Sequence, residues 1–303
     1  MATKKKVTNS KAKKEAPKKA STEKKTEVTA VTEVKVVKET VVKNPIGDFC
    51  KELFARKYDK AENITTIFKK PSIYGGFLTE LLGTALLTTF FLLIGTNNPI
   101  MTMLFVLGLA LAAHGLSGAH FNPLITAGMM TTRRISASRG ILYILAQILG
   151  AWAGYLLVTT FAAAGGDEAL KALKTMAKLG DNIGLVVLLE LIGAMIIGFF
   201  FSRAMFYKKH VFIFAATVAA GLTVASLVAL LLSSYSQLAN SFILNPAVAL
   251  TYQILPSSGT NFSEVMQGVG AALGVYFAIP VVGGTIGFYL SDIITKLTKA
   301  TEA

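Results

Sequence analysis

Six apolar runs follow one another after about residue 71, at roughly 73–95, 99–116, 141–163, 183–202, 211–232 and 265–290. A helix needs about 20 residues to cross the core of a bilayer. Each run is near that length, and lipid offers no partner to a free backbone N–H or C=O. Each run is therefore predicted to satisfy its own backbone as a helix. The chain is 53% hydrophobic, above the roughly 45–50% of soluble domains, and the excess lies in these runs.

Two shorter apolar pieces interrupt the pattern, at 122–132 and 245–255. Eleven residues make about 16 Å of helix at 1.5 Å per residue, or half a bilayer. Both begin with Asn-Pro: SGAHFNPLITAG holds Asn122-Pro123, and SFILNPAVALTYQ holds Asn245-Pro246. Asn is among the best N-cap residues, and Pro is favoured at the first helical position, where its missing N–H costs nothing. Each Asn-Pro thus predicts a helix that starts at membrane depth.

The two halves of the chain repeat this plan. The first and fourth runs each carry one carboxylate, Glu80 in FLTELLGTALL and Glu190 in VLLELIGAMII, and each half places Asn-Pro after its second run and a third run after that. Three crossings are an odd number, so the second half is inverted relative to the first. Interrupted segments at matching positions of two such halves point to a site at the midplane. There the two half-helix N-termini meet, each carrying about half a positive charge. Together they repel cations. The amides of Asn122 and Asn245 donate to a passing oxygen, and carbonyls of the non-helical lead-ins accept from it.

The remaining segments are polar or basic. Residues 1–45 are rich in Lys, Ala, Thr, Glu and Val with no aromatic residue, a composition that cannot offset the entropy of ordering and predicts a disordered tail. It lacks the apolar stretch of a signal peptide and the arginines of a mitochondrial leader. Residues 46–71 include IGDFCKELFARKYDK, which reads as an interfacial amphipathic segment. The tail, TTRRISASR at 131–139, SRAMFYKKH at 202–210 and the 293–303 end carry basic residues. Both termini are accordingly expected in the cytoplasm. The net charge of +13, from 30 basic and 17 acidic residues, suits an anionic lipid surface rather than nucleic acid. The single cysteine, Cys50, rules out a disulfide within the chain.

SGAHFNP (117–123) and LNPA (244–247) resemble the two pore motifs of the major intrinsic protein family, the aquaporins and aquaglyceroporins. AQILGAWAG (146–154) and YFAIPVVGGTIG (276–287) are similar to that family's third and sixth spans. The resemblance covers about 72–292. It implies an aquaporin-like, all-α channel domain of six transmembrane helices and two half-helices in an inverted 3+3 repeat. It also implies one pore per subunit, a homotetramer and a cell-membrane location. Carried over residue by residue, the midplane falls on Asn122, Pro123, Leu124, Asn245, Pro246 and Ala247. The selectivity constriction falls on Thr102, Ser233, Phe242 and Val248. Glu80, Glu190 and His120 take the place of residues that brace the loops before the half-helices. Two departures stand out. Leu124 occupies a position where the family usually has Ala, placing a bulkier apolar group near the midplane. Val248 occupies the position where the family commonly has Arg. An uncharged Thr, Ser, Phe and Val constriction predicts a wider pore, for water and small neutral solutes such as glycerol, urea or ammonia.

Three other functions are kept beside that one: a water-selective pore, a proton-coupled transporter using Glu80 or Glu190, and a non-conducting structural membrane protein. Val248 also weakens the usual case against ion leakage. No HExxH, P-loop, Ser-His-Asp set or Cys-His cluster is present, so neither an enzyme nor a metal or cofactor is expected. His114 and His210 carry weaker signals. Gly150/Gly154, Gly270/Gly274 and Gly283/Gly287 suit close helix packing, within or between subunits. The sequon at Asn63 falls on the expected cytoplasmic side and is read as accidental; the one at Asn261 falls on the outer side, and its glycosylation is not expected.

Overall fold

The computed structural model describes residues 44–55, 64–94, 98–166, 182–236, 242–253 and 269–301. The Lys-rich tail through residue 43, the two sequon asparagines and most of the 165–182 link lie outside that set. All regular structure among the described residues is helical. The helices are α1 (Pro45–Ala55), a single turn α2 (Ile64–Ile67), α3 (Pro71–Ile94), α4 (Pro99–Ala113), α5 (Pro123–Thr131) and α6 (Ala137–Ala164). The second half repeats the last four as α7 (Ile183–Ala204), α8 (Val211–Tyr235), α9 (Pro246–Gln253) and α10 (Ile279–Thr301). Pro45, Pro71, Pro99, Pro123 and Pro246 each stand first in a helix, where a fixed φ helps and the absent N–H has no intrahelical partner to lose.

Five helices are long and apolar enough to cross a membrane: Pro71–Ile94, Ala137–Ala164, Ile183–Tyr207, Val211–Tyr235 and Val269–Thr298. At most 39% of each apolar window is buried within the chain, which leaves the rest to face lipid. On α3 the exposed Leu78, Leu82 and Leu86 fall four residues apart along one such face. The sixth crossing, α4, is shorter than the 99–116 run. It stops at Ala113 because the N–H groups of Leu116 and Ser117 both turn back to the Ala113 carbonyl. Its other end is capped by Asn98, whose Oδ1 accepts from the Met101 N–H at 3.1 Å. The last crossing begins before α10, through a π-helical turn at Gly274–Ala278. Pro280 explains the turn: it has no N–H for the Tyr276 carbonyl, and the Ile279 N–H reaches back to Gly274 instead.

The two halves pack alike. α6 lies on α3, and α10 lies on α7. Gly150 and Gly154 of α6 sit against the Leu81 and Ala85 carbonyls of α3, while Gly283 and Gly287 of α10 sit against the Leu191 and Met195 carbonyls of α7. Each contacted residue stands one or five places after its half's glutamate. A Cβ at any of these glycines would overlap backbone, so both pairs serve contacts within the subunit. Gly270 and Gly274, by contrast, have nothing within 4 Å of a Cβ position. α4 packs on α8, and α5 on α10. Of the segment read as interfacial, α1 is helical and lies beside α10, with Glu52 paired to Lys296; residues 56–63 are outside the described set.

Candidate functional site

The half-helices are α5 and α9, and both begin where Asn-Pro places them. Asn122 caps α5 by accepting the Leu124 N–H at 3.1 Å, and Asn245 caps α9 by accepting the Ala247 N–H at 3.0 Å. The same two side chains reach across to the opposite half. Asn122 Nδ2 donates to the Leu244 carbonyl at 2.9 Å, and Asn245 Nδ2 donates to the Phe121 carbonyl at 3.0 Å. Each Asn therefore holds the residue that precedes the other Asn. This exchange sets the two N-termini against each other at the centre of the bundle. Each amide has a second N–H left for another acceptor.

Phe121 and Leu244 make the exchange possible. Both adopt left-handed backbone, with φ of 51° and 57°, which costs a side chain roughly 1–2 kcal/mol. Carboxylates hold them there. Glu80 Oε2 accepts the Phe121 N–H at 2.7 Å, and Oε1 accepts the His120 N–H at 3.0 Å and the Ser117 hydroxyl at 2.6 Å. Gln147 of α6 donates to Glu80 Oε2 at 2.8 Å. In the other half Glu190 Oε1 accepts the Ile243 N–H at 2.5 Å, and both its oxygens lie 3.2 Å from the Leu244 nitrogen. Both glutamates are fully buried and their oxygens are engaged by loop donors. His120 also braces from its ring, with Nδ1 3.1 Å from Thr126 Oγ1.

One part of the brace escaped the sequence reading. Gly83 lies under the Phe121 ring and Gly193 under the Leu244 side chain, so close that a Cβ would overlap either one. The signal was present as a repeat: ELLG and ELIG place each glycine three residues after its glutamate. Gln147 and Thr126 had no comparable signal, since their partners come from other elements.

A cavity of about 30 Å³ adjoins the first half-helix, room for about two or three waters. His120 and Asn122 supply its polar lining; Ala119 and Phe121 of the same loop, Ile125, Phe201 and aliphatic side chains of α3, α4, α7 and α8 supply the rest. Leu124 is not among the lining residues. It is fully buried against Gly284 of α10, so the bulk expected near the midplane is directed into helix packing, and Ile125 is the side chain of α5 that meets the cavity. Pro123 and Ala247 are buried within their half-helices, and Pro246 stands first in α9.

The four positions expected to form the constriction, Thr102, Ser233, Phe242 and Val248, are all at most 3% exposed. Thr102 lies four and eight residues before Val106 and Ala110, which face the cavity, so helical spacing carries that face of α4 on to Thr102. Its Oγ1 is buried with no hydrogen-bond partner. Ser233 continues the Val218–Leu222 face of α8 and gives its hydroxyl to the Leu230 carbonyl at 2.9 Å. Phe242 and Val248 belong to the main apolar cluster of the bundle. The weaker candidate His114 packs its ring on Phe214 and places Nε2 2.7 Å from the Lys208 carbonyl.

A sequence model of the family described as major intrinsic protein matches residues 67–290. A glycerol uptake facilitator protein-like 6 from Lactiplantibacillus plantarum is 33% identical over 123 residues, covering 37% of this chain and 55% of that protein. A probable aquaporin PIP2-5 from Arabidopsis thaliana is 35% identical over 101 residues, 31% of this chain and 32% of that protein. A probable aquaporin PIP2-1 from Oryza sativa subsp. japonica is 38% identical over 95 residues, with the same two shares. The chain thus spans about half the length of the bacterial relative and about a third of each plant one. The match over 67–290 takes in both Asn-Pro half-helices, both glutamate braces and all six crossings: the chain is an integral, multi-pass membrane protein of the major intrinsic protein family.

Proposed function

We propose that this protein is a passive channel for water and small uncharged solutes, with glycerol, urea and ammonia within its range. The reciprocal exchange between Asn122 and Leu244 and between Asn245 and Phe121 carries this reading. It opposes two helix N-termini at one point, where a cation is repelled and a neutral hydroxyl finds amide donors. The same electrostatic barrier explains exclusion in aquaporin-type pores. Relatives named for glycerol uptake and for aquaporins both match the chain, which supports polyol and water passage together.

Selectivity rests on Thr102, Ser233, Phe242 and Val248. None of the four is charged, Phe242 offers an apolar wall to a carbon chain, and the unpartnered Thr102 hydroxyl offers a hydrogen bond to a solute. The glutamates favour passive flow over proton coupling, because loop donors already occupy their oxygens. Basic residues at 133, 134, 208 and 209 support a cytoplasmic position for that end of the bundle in the cell membrane, with both chain termini on that side. A homotetramer is the assembly the family implies, and the Lys-rich tail suits contact with anionic lipid.

Light scattering from proteoliposomes tests this, with a glycerol jump set against a sucrose jump. Shrinkage in both and fast reswelling in glycerol alone is the expected result. Fast shrinkage without accelerated reswelling would establish a water-selective pore instead. Shrinkage no faster than that of empty liposomes would establish a closed or structural protein.

A further inference from the structure

The constriction proposed above carries no charged side chain, and the cavity beside the first half-helix is lined in part by the rings of His120, Phe121 and Phe201. Phe201 of α7 is 1% exposed and lines that cavity. Its ring meets His120 edge to face, with centroids 5.6 Å apart and planes at 87°. We infer that Phe201, paired with His120, is a second size selector of the passage, placed on the opposite side of the midplane from Val248. This inference rests on the channel function proposed above.

Both rings are held against movement. His120 is fixed by its backbone N–H to Glu80 and by Nδ1 to Thr126. Phe201 is wedged between Phe214 at 5.7 Å and Phe288 at 6.0 Å. Each of those rings has a polar clamp behind it. His114 lies on Phe214 and is tied to the Lys208 carbonyl; the Arg134 guanidinium lies 5.4 Å over Phe288 and is paired with Asp292. Rings clamped from both sides make a fixed wall of the passage rather than a swinging lid.

The pair also has a chemical preference. The Thr126 hydroxyl gives its single proton to the Asn122 carbonyl at 3.2 Å and accepts from Gln147. With that proton committed, His120 Nδ1 donates to Thr126, the tautomer that leaves Nε2 as an acceptor. A linear polyol suits that surface, with its hydroxyls to His120 Nε2 and its carbons to Phe201. A longer or branched solute meets the ring.

The test compares wild type with Phe201→Leu and Phe201→Trp in proteoliposomes, probed with glycerol and with the four-carbon polyol erythritol. Melting temperature is followed in parallel, so that loss of fold is separated from loss of selection. Phe201→Leu is expected to raise the erythritol-to-glycerol rate ratio by about tenfold, the scale on which a methylene-sized change discriminates in an apolar site. Phe201→Trp is expected to slow glycerol while water flow persists. An unchanged ratio in both folded variants, with wild type still passing glycerol, overturns the selector and leaves the channel reading standing. A wild type that passes neither water nor glycerol overturns the channel reading and the selector with it.

Discussion

Glu80 and Glu190 stand at equivalent places in the repeat, yet they satisfy different numbers of donors. Glu80 accepts from Ser117, His120, Phe121 and Gln147; Glu190 accepts from Ile243 and Leu244. A glutamine has one acceptor oxygen and an amide that needs acceptors of its own. At residue 190 that one oxygen can keep both loop N–H groups. At residue 80 it cannot keep four. Glu80→Gln is therefore expected to lower stability by about 1–3 kcal/mol per donor left buried and unpaired, and Glu190→Gln by clearly less. Thermal melting in detergent reads the order. Loss of solute flux in Glu190→Gln at unchanged melting temperature would instead identify a proton relay. A second residue-scale prediction concerns Val248, one of the four proposed selectivity positions. Val248→Arg is expected to slow glycerol reswelling by about tenfold while water shrinkage persists, since a long cation beside the α9 N-terminus narrows the passage. Equal glycerol rates in both proteins would remove Val248 from the selectivity set.

Among the elements, what the sequence made legible was whatever repeats or caps locally. Asn-Pro announced both half-helices because capping chemistry acts within a few residues, and paired glutamates announced the inverted halves. The end of α4 at Ala113 was not legible, since an apolar run carries on through Leu116 while the backbone has already turned. Nor was the inward packing of Leu124, which depends on Gly284 of a helix remote in sequence. The glycines under the loops were legible in principle, and they give an element-scale prediction. Gly83→Ala and Gly193→Ala each press a Cβ into the residue before an Asn. Overpacking of this kind costs about 1–3 kcal/mol. It also disturbs the carbonyl that anchors the opposite Asn, so water flow falls along with stability. Gly270→Ala meets nothing and is expected to gain about 0.5–1 kcal/mol from the stiffer helix. Identical melting of Gly83→Ala and Gly270→Ala would show that the loop does not rest on α3.

Across the whole molecule, one guanidinium joins parts that the repeat alone would leave independent. The basic TTRRISASR segment reads as a surface link, but Arg134 turns inward. Its Nη1 donates to Thr132 at 2.9 Å, and its Nη2 donates to Ser202 of α7 at 3.1 Å and to Asp292 of α10 at 2.6 Å. Ser202 donates in turn to the same Asp292 oxygen at 3.1 Å. Asp292 lies 158 residues away in sequence, which is why one chain read alone shows no trace of the pair. The Arg134 and Asp292 side chains are only 14% and 5% exposed, so solvent screens their attraction weakly and each would be costly to leave without the other. Removing one partner of such a pair costs about 3–5 kcal/mol. Asp292→Asn and Arg134→Gln are each expected to fall in that range, and the double variant to lose much less than the sum, because the second change removes the charge that the first left stranded. A double-mutant cycle on melting free energies checks this. Additive losses would mean that the first half-helix holds its place from the Asn122 end alone. Strong coupling would mean that it is fixed at both ends, by an amide exchange at the midplane and by an ion pair where α5 leads into α6.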